Sequence, residues 1–84
     1  MNISWYDEAW DDYISWQSQD RKTLKRINAL IKDIRQNPFW GLGKPEPLKG
    51  DLSGFWSRRI DSFNRIVYFE SNETIYIVSC KGHY

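Results

Sequence analysis

A chain of 84 residues with five Trp, five Tyr and four Phe has room for one small domain, residues 1–84, and aromatic side chains must supply much of its core. The formal net charge of +1 gives no overall attraction to nucleic acid, so recognition has to depend on where the charges lie. One cysteine excludes an internal disulfide, and no apolar run suits a signal peptide or a membrane span, which predicts a cytoplasmic protein without a membrane partner.

The first part of the chain predicts a short strand followed by a helix. Residues 2–6 alternate well enough for a strand. Asp7 then offers a side-chain oxygen that can serve as the N-cap of the helix. The apolar face of this helix is expected to comprise Trp10, Tyr13 and Ile14. The polar residues 17–19 are expected to end it.

A second helix is predicted to begin at Asp20, as its N-cap, and to end near Asn37 and Pro38. Its apolar residues recur at steps of three and four, and they are Leu24, Ile27, Leu30, Ile31 and Ile34. Residues 21–35 carry six basic side chains against one acidic side chain, whereas residues 1–20 carry five acidic and no basic ones. A solvated helix face is the simplest interpretation of these cations.

The second half of the chain predicts a breaker-rich loop and then three strands. Residues 37–51 hold three Pro and three Gly, which indicates one ordered loop. Residues 54–60, 64–70 and 74–80 are rich in β-branched and aromatic side chains, and short polar connections join them as an antiparallel meander. The predicted fold class is α+β, in the order β-α-α-β-β-β, with two helices on one face of the sheet and the other face open for function.

Two arginines can meet on the open face of this sheet. Successive side chains of a strand point to opposite faces, so Arg58 and Arg59 must diverge, and Arg59 can join Arg65 of the next strand. Aromatic residues at neighbouring positions, Phe55 and Phe69, complete a surface suited to phosphate contact and base stacking. The alternative is an edge-strand charge that reaches from the core to solvent.

Acid and base residues for RNA cleavage are also present. Cleavage without a metal needs a base for the 2′-hydroxyl proton, a cation for the charged phosphorane and an acid for the departing 5′-oxygen. His83 is the single histidine, so its partner should be a carboxylate or an amine. Glu46 is the best candidate because a proline on either side restricts its backbone, and the same segment brings Lys44 and Lys49. The alternative for Glu46 is an exposed side chain that contributes only to solubility.

Other kinds of site have little support. One His and one Cys cannot form a closed zinc site, and the acidic pairs in residues 7–12 are expected at the start of a helix. Neither a Gly-x-Ser-x-Gly stretch nor a phosphate-binding Gly-rich loop with a flanking strand and helix occurs. No metal and no cofactor is therefore predicted.

Several motifs in this chain resemble one protein family. The segments "KPEPLKGDLSGFWSRRI" and "NRIVY" and the final "HY" look like the YoeB branch of the RelE-type toxins, which are ribosome-dependent messenger-RNA interferases of bacterial toxin–antitoxin modules. The similarity begins at "WDDYxxWQ" and covers essentially the whole chain, with the motifs in the family's order. It implies a RelE-like fold, in which two N-terminal helices pack on one face of a twisted, mainly antiparallel sheet.

The resemblance implies an endoribonuclease that cuts the codon exposed in the ribosomal A site. Glu46 would act as general base, His83 as general acid and Arg65 as the main transition-state cation. The residues that would hold phosphates or position the nucleotide are Lys44, Lys49, Arg59 and Tyr84. One departure is Asn64, which stands where the family commonly has histidine, and an amide can still donate and accept hydrogen bonds.

The resemblance also implies partners. A cognate, YefM-like antitoxin would neutralise the toxin by folding a disordered segment onto it, and exposed aromatics such as Phe39 and Trp40 could receive that segment. Further partners would be the ribosome with messenger RNA in the A site and operator DNA, the latter only through the antitoxin complex, with a homodimer left open. The alternative function is a non-catalytic RNA-binding or partner-binding module of the same fold.

Overall fold

The computed structural model describes residues 1–83. Its elements, in chain order, are β1 (Asn2–Trp5), α1 (Asp7–Gln19), α2 (Arg21–Gln36), β2 (Glu46–Pro47), a 3-10 turn (Gly50–Leu52), β3 (Trp56–Arg59), β4 (Arg65–Ser71) and β5 (Thr74–Ser79). The strands form one sheet in the order β1-β5-β4-β3-β2. Within the described residues, the β1–β5 pair is parallel and the other three pairs are antiparallel. The predicted α+β fold with a mainly antiparallel sheet is confirmed.

The core lies between the two helices and one face of the sheet. Helix α2 contributes an apolar stripe of fully buried side chains, Ile27, Leu30 and Ile34. The sheet meets this stripe with Ile66, Tyr68, Ile75 and Ile77, all of them fully buried. Spacings of three and four in the helix and of two in the strands bring these side chains to one interface. Neither helix in residues 1–83 is long and apolar enough to cross a membrane.

Helix α1 differs from its prediction in three respects. Tyr6 is the N-cap and makes no side-chain capping bond, so Asp7 is the first helical residue instead of the cap. The helix continues through residues 17–19, which were expected to end it. Its predicted apolar face is wrong in part: Tyr13 packs against the core as expected, but Trp10 and Ile14 are nearly half-exposed and the buried residues are Ala9 and Trp16.

A ring cluster explains why Trp10 of α1 lies away from the core. Trp5 of β1 contacts Trp10 and Tyr13 with ring centroids 5.6 and 4.9 Å apart. These rings cover the edge of the sheet, and the small Ala9 takes the position against the core. Residues 9 and 16 are two helical turns apart and therefore lie on one face. The hydrophobic pattern alone did not distinguish this face from its neighbour.

Helix α2 confirms both of its predicted ends. The Asp20 carboxylate accepts hydrogen bonds from the main-chain N–H groups of Lys22 (3.0 Å) and Thr23 (3.2 Å), and also from the Thr23 hydroxyl. These bonds, that of the Thr23 hydroxyl first, hold the pKa of Asp20 below its usual value. The helix ends at Gln36, and Asn37 is its C-cap.

The predicted loop of residues 37–51 contains a strand that the sequence pattern did not indicate. Glu46 and Pro47 form β2, which pairs with β3 at the edge of the sheet. An edge strand tolerates Pro47, because no outer neighbour needs the missing N–H. Glu46 therefore lies on the sheet itself. The three strands predicted after the loop are all present, and their bounds differ from the predicted ones by at most two residues.

Arg58 fixes the loop that leads to β2. Its side chain is completely buried and forms an ion pair with Asp33 of α2. It donates further hydrogen bonds to the Tyr68 hydroxyl (3.0 Å) and to the main-chain carbonyls of Asn37, Trp40 and Leu42. The Tyr68 hydroxyl in turn donates to the Pro38 carbonyl (2.6 Å). The Arg58 guanidinium thus joins the helix, the loop and the sheet, and each of its three nitrogens donates a hydrogen bond.

The single cysteine gives a direct test of the packing. Cys80 is fully buried against Ala9, and burial raises the pKa of its thiol to about 12. The reactive thiolate is therefore almost absent at neutral pH. We expect the native protein to resist alkylation by iodoacetamide at pH 8, and the same protein in guanidinium chloride to react fully, as mass spectrometry will show. Rapid labelling of the native protein would contradict this packing.

Candidate active site on the face opposite the helices

Two rows of side chains cross the sheet on the face opposite the helices. In the first row, Glu46 of β2 lies opposite Ser57 of β3, and Ser57 lies opposite Val67 of β4. In the second row, two residues further along, Arg59 lies directly opposite Arg65. Neighbouring strands are about 4.8 Å apart, so the Glu46 and Val67 backbones are about 10 Å apart. Long side chains on this face can therefore converge on one small ligand.

The two adjacent arginines of β3 diverge as strand alternation requires. Arg58 is buried on the helix side, and Arg59 is exposed on the other. The expectation that Arg59 and Arg65 meet on neighbouring strands is confirmed by the register. Two guanidinium groups at opposed positions form a locus of positive charge, since neither makes an ion pair within residues 1–83.

Glu46 is held by its backbone and left free at its carboxylate. Prolines 45 and 47 restrict the main chain on both sides. The buried Leu48, two residues on, donates its N–H to the Phe55 carbonyl (2.9 Å) and anchors the end of β2. Within residues 1–83 the exposed carboxylate has no hydrogen-bond or ion-pair partner. It is therefore available to accept a proton from a ligand.

Arg65 has the most fixed guanidinium of this face. It is half-buried, and its Nη1 donates to the carbonyls of Asp61 (2.9 Å) and Asn64 (3.1 Å). A guanidinium has five N–H donors in a planar fork, so these two bonds orient the group and leave other donors for an anion. Arg65 is thus prepared to bind a phosphate in one orientation.

The segment after β5 brings His83 to the start of β4. Cys80 is held at both main-chain groups, because its N–H donates to Asp12 (3.1 Å) and its carbonyl accepts from the Trp16 indole (2.9 Å). Two residues on, the carbonyl of Gly82 accepts a hydrogen bond from the Arg65 N–H (3.0 Å). His83 follows directly and is exposed. The imidazole therefore emerges beside the backbone of Arg65.

The predicted RNA-binding residues differ in how the structure places them. Lys44 and Lys49 are exposed and stand before and after β2, two and three residues from Glu46, outside the strand ladder. Both extend the positive charge along that edge. Tyr84 lies outside the described residues. Among residues 1–83, no group of three His, Cys, Asp or Glu side chains could hold a metal ion.

Aromatic rings continue this face beyond the charged rows. The rings of Phe55 and Phe69 stack with centroids 5.2 Å apart, and those of Phe69 and Tyr76 stack at 4.8 Å. Cross-strand aromatic pairs of this kind stabilise a sheet. The aromatic rings expected on this face are therefore present, and they are stacked on one another.

The turn between β3 and β4 has a role that sequence reasoning did not assign. Residues 61–63 were interpreted as a short polar connection, yet Asp61 and Asn64 hydrogen bond to each other and organise the surroundings of Arg65. Asp followed by Asn three residues later is a usable signal, because Asp side chains often accept hydrogen bonds from the main chain of a turn.

Comparisons of this chain with known sequences and with solved structures point to the same family. A family model described as the YoeB-like toxin of bacterial type II toxin–antitoxin systems matches residues 5–84. The "Toxin YoeB" of Escherichia coli K12 is 52% identical over 84 residues, which cover 100% of both chains. A "YoeB/ParE toxin from Agrobacterium tumefaciens" is 45% identical with a TM-score of 0.95, covering 100% of both chains. A toxin chain in the "heterotetrameric complex of YoeB-YefM" from Staphylococcus aureus is 45% identical with a TM-score of 0.91, covering 100% of this chain and 98% of that one.

Proposed function

Since the chain belongs to the family of YoeB-like toxins of bacterial type II toxin–antitoxin systems, we propose that it is an endoribonuclease that cuts messenger RNA in the ribosomal A site without a catalytic metal. The observation that supports this most is the arrangement on the face opposite the helices. There, Glu46 is held in the first row, Arg59 and Arg65 form the second, and the main chain delivers His83 beside Arg65.

The proposed reaction is an internal transfer at phosphorus. The Glu46 carboxylate takes the proton of a ribose 2′-hydroxyl, and the freed oxygen attacks the adjacent phosphorus. His83 gives a proton to the 5′-oxygen as its bond to phosphorus breaks. The products are a 2′,3′-cyclic phosphate, which water can open to a 3′-phosphate, and a 5′-hydroxyl. The proton count balances, because Glu46 gains one proton and His83 loses one.

Cations stabilise the extra negative charge of the phosphorane. Arg65 is the main one, because two carbonyl bonds orient it before the substrate arrives, and preorganised charge is most effective in a transition state. Arg59, directly opposite, binds a second phosphate oxygen. The proposed role of Lys44, Lys49 and Tyr84 is to hold flanking phosphates or position the attacked nucleotide.

The site explains why a ribosome would be needed. Its residues lie on the open face of a small sheet, and several of them are exposed. Such a surface cannot by itself hold an RNA strand with the 2′-oxygen in line with the leaving oxygen. A large partner that fixes the codon supplies this geometry, which can lower a barrier substantially.

The proposed partners follow from the family. A YefM-like antitoxin, as in the staphylococcal complex, would neutralise the toxin, and the pair would bind operator DNA and repress its own operon in the cytoplasm. Phe39 and Trp40 are 45% and 65% exposed and offer apolar surface for a folding segment. A homodimer is a further proposed assembly, as a solved staphylococcal relative is described as a dimer.

The experiment that tests this function uses ribosomes programmed with a defined codon in the A site. We expect cuts within that codon, ends consisting of a 5′-hydroxyl and a cyclic or 3′-phosphate, and no cut when the attacked ribose carries a 2′-deoxy substitution. The reason is that the 2′-oxygen is the nucleophile. Primer extension locates the cuts, and kinase labelling identifies the 5′ ends.

Two outcomes would contradict the proposal. Ends with a 5′-phosphate and a 3′-hydroxyl would indicate attack by water instead of the 2′-oxygen. Intact RNA, with binding that weakens steeply as salt rises, would favour the non-catalytic module.

A further inference from the structure

We propose that Asn64 is a positioning residue for His83, which it fixes through a hydrogen bond to the main chain of Gly82; this inference rests on the function proposed above. Asn64 itself would not act on the RNA directly.

The turn between β3 and β4 is rigid because Asp61 closes it. The Asp61 carboxylate accepts hydrogen bonds from the N–H of Phe63 (2.9 Å), the N–H of Asn64 (2.6 Å) and the Asn64 side-chain amide (3.0 Å). These bonds, the Asn64 side-chain bond first, lower the pKa of Asp61, so the carboxylate stays ionised at neutral pH. The Asn64 side chain is therefore held at its nitrogen end.

The other end of the Asn64 amide holds Gly82. The side-chain oxygen accepts a hydrogen bond from the Gly82 N–H at 2.7 Å. The reverse orientation of the amide would place two donors together at Gly82 and two acceptors together at Asp61, so the surroundings allow only one. The Gly82 carbonyl accepts from the Arg65 N–H (3.0 Å), and both main-chain groups of Gly82 are thus bonded. Its φ of +85° is a conformation that glycine adopts readily.

The same turn also reaches the imidazole and the guanidinium. The exposed Phe63 ring lies 5.7 Å from the His83 ring, centroid to centroid. The carbonyls of Asp61 and Asn64 hold the Arg65 guanidinium. One five-residue unit therefore fixes the proposed acid and the proposed cation relative to each other. Loss of the Asn64 side-chain bond removes one of the two main-chain hydrogen bonds of Gly82 and loosens the segment that carries the acid. The bonds to the cation, which use main-chain carbonyls, remain.

The first test measures the position of the imidazole without RNA. His83 is the only histidine, so its ring signals in an NMR spectrum are unambiguous. In the wild type we expect ring-current shifts from Phe63 and an ordered Gly82 amide. Asn64→Leu should remove the shifts and give Gly82 a heteronuclear NOE typical of a flexible chain. Asn28→Leu, at an exposed amide that bonds Tyr13, is the matched control and should change neither signal.

The second test measures cleavage at saturating and limiting ribosome concentrations. Asn64→Leu should lower kcat about 10²-fold with KM nearly unchanged, because misplacement of a reacting group by about 1 Å has that effect. Asn64→Asp keeps an acceptor for the Gly82 N–H and should recover part of the loss. Phe63→Ala provides a second variant that leaves the turn's hydrogen bonds in place, and it should remove the ring-current shifts and lower kcat less.

The outcomes separate this inference from the proposed function. A folded Asn64→Leu variant with an ordered Gly82 amide and wild-type cleavage would overturn the inference alone. A wild-type protein that does not cut RNA would overturn the proposed function. Loss of the Phe63 ring-current shifts on His83 in Asn64→Leu would then still establish that Asn64 positions His83. Loss of cleavage with raised KM and unchanged His83 signals would indicate a role in RNA binding and would also overturn the inference.

Discussion

Replacing His83 with alanine is expected to slow A-site cleavage by about 10²- to 10⁴-fold, the usual contribution of a general acid. The imidazole is exposed, so its removal should leave the denaturant midpoint nearly unchanged. Single-turnover cleavage on programmed ribosomes measures the rate. Added imidazole should restore part of it, because a free molecule can then donate the proton.

Glu46→Gln is expected to give a loss of similar size, since the amide cannot take the 2′-hydroxyl proton. The two variants act on the same step, so the double variant should be far less impaired than the product of the single effects predicts. Glu8→Gln, at an exposed carboxylate in the first turn of α1, is the control and should cut at the wild-type rate. A His83→Ala protein with undiminished activity would refute the assigned chemistry.

Arg58→Met is expected to lower the free energy of unfolding by about 3–5 kcal/mol, the range for breaking a buried ion pair by removal of one partner. Methionine can occupy much of the stem's space, but Asp33 and the carbonyls of Asn37, Trp40 and Leu42 lose their donor. Since small domains are stable by only about 5–15 kcal/mol, this is a large share of the total. Urea unfolding followed by tryptophan fluorescence measures the change.

Arg59→Met is the matched control, because it is the same substitution one residue along on the exposed side of the sheet. It should change stability by less than about 0.5 kcal/mol. Equal midpoints for the two variants would contradict the role given to Arg58.

The Arg58–Asp33 pair also sets a pH dependence. The hydrogen bond from Arg58, followed by the Leu42 N–H, lowers the pKa of Asp33 from its ordinary 3.8. A depressed folded-state pKa means that this stabilisation is complete above pH 3.8 and is lost as the pH falls through the folded pKa. Wild type should therefore lose this part of its stability in strong acid, whereas Arg58→Met should lose only the smaller part that the Leu42 N–H bond contributes.

The sequence predicted most of the fold because local patterns were strong where packing agreed with them. Asp20 capped α2 as expected, and the three later strands appeared in the predicted order. The predictions failed where contacts between separate elements determined the position of a residue. Trp10 has the hydrophobicity of a core residue, yet its ring packs on Trp5 of the preceding edge strand and stays nearly half-exposed. Glu46 belongs to the sheet because it pairs with Ser57 of β3. A strand of two residues is too short to show a periodic pattern, so the sequence could not indicate it.

The candidate site could be outlined from chemistry but not assembled from the sequence. A metal-free reaction needs an acid, a base and a cation, and only a few residues of the chain qualify. The hydrogen bond between Asn64 and Gly82 could not be predicted, because it joins residues 18 positions apart and its donor is a main-chain N–H. The role of Arg58 could not be predicted either. Strand alternation indicates that Arg58 faces the helices, but it does not show that five hydrogen-bond acceptors surround its guanidinium.

The parallel pairing of β1 with β5 has a consequence for how the molecule forms. Asn2 is the register partner of Thr74, and the indole of Trp16 bonds a carbonyl 64 residues away. The first strand leaves the translating ribosome early, but the strand with which it pairs, β5, is the last to emerge. Contacts of such high order slow folding and delay it until synthesis is nearly complete. Nascent chains should accordingly stay protease-sensitive along their N-terminal half almost until release.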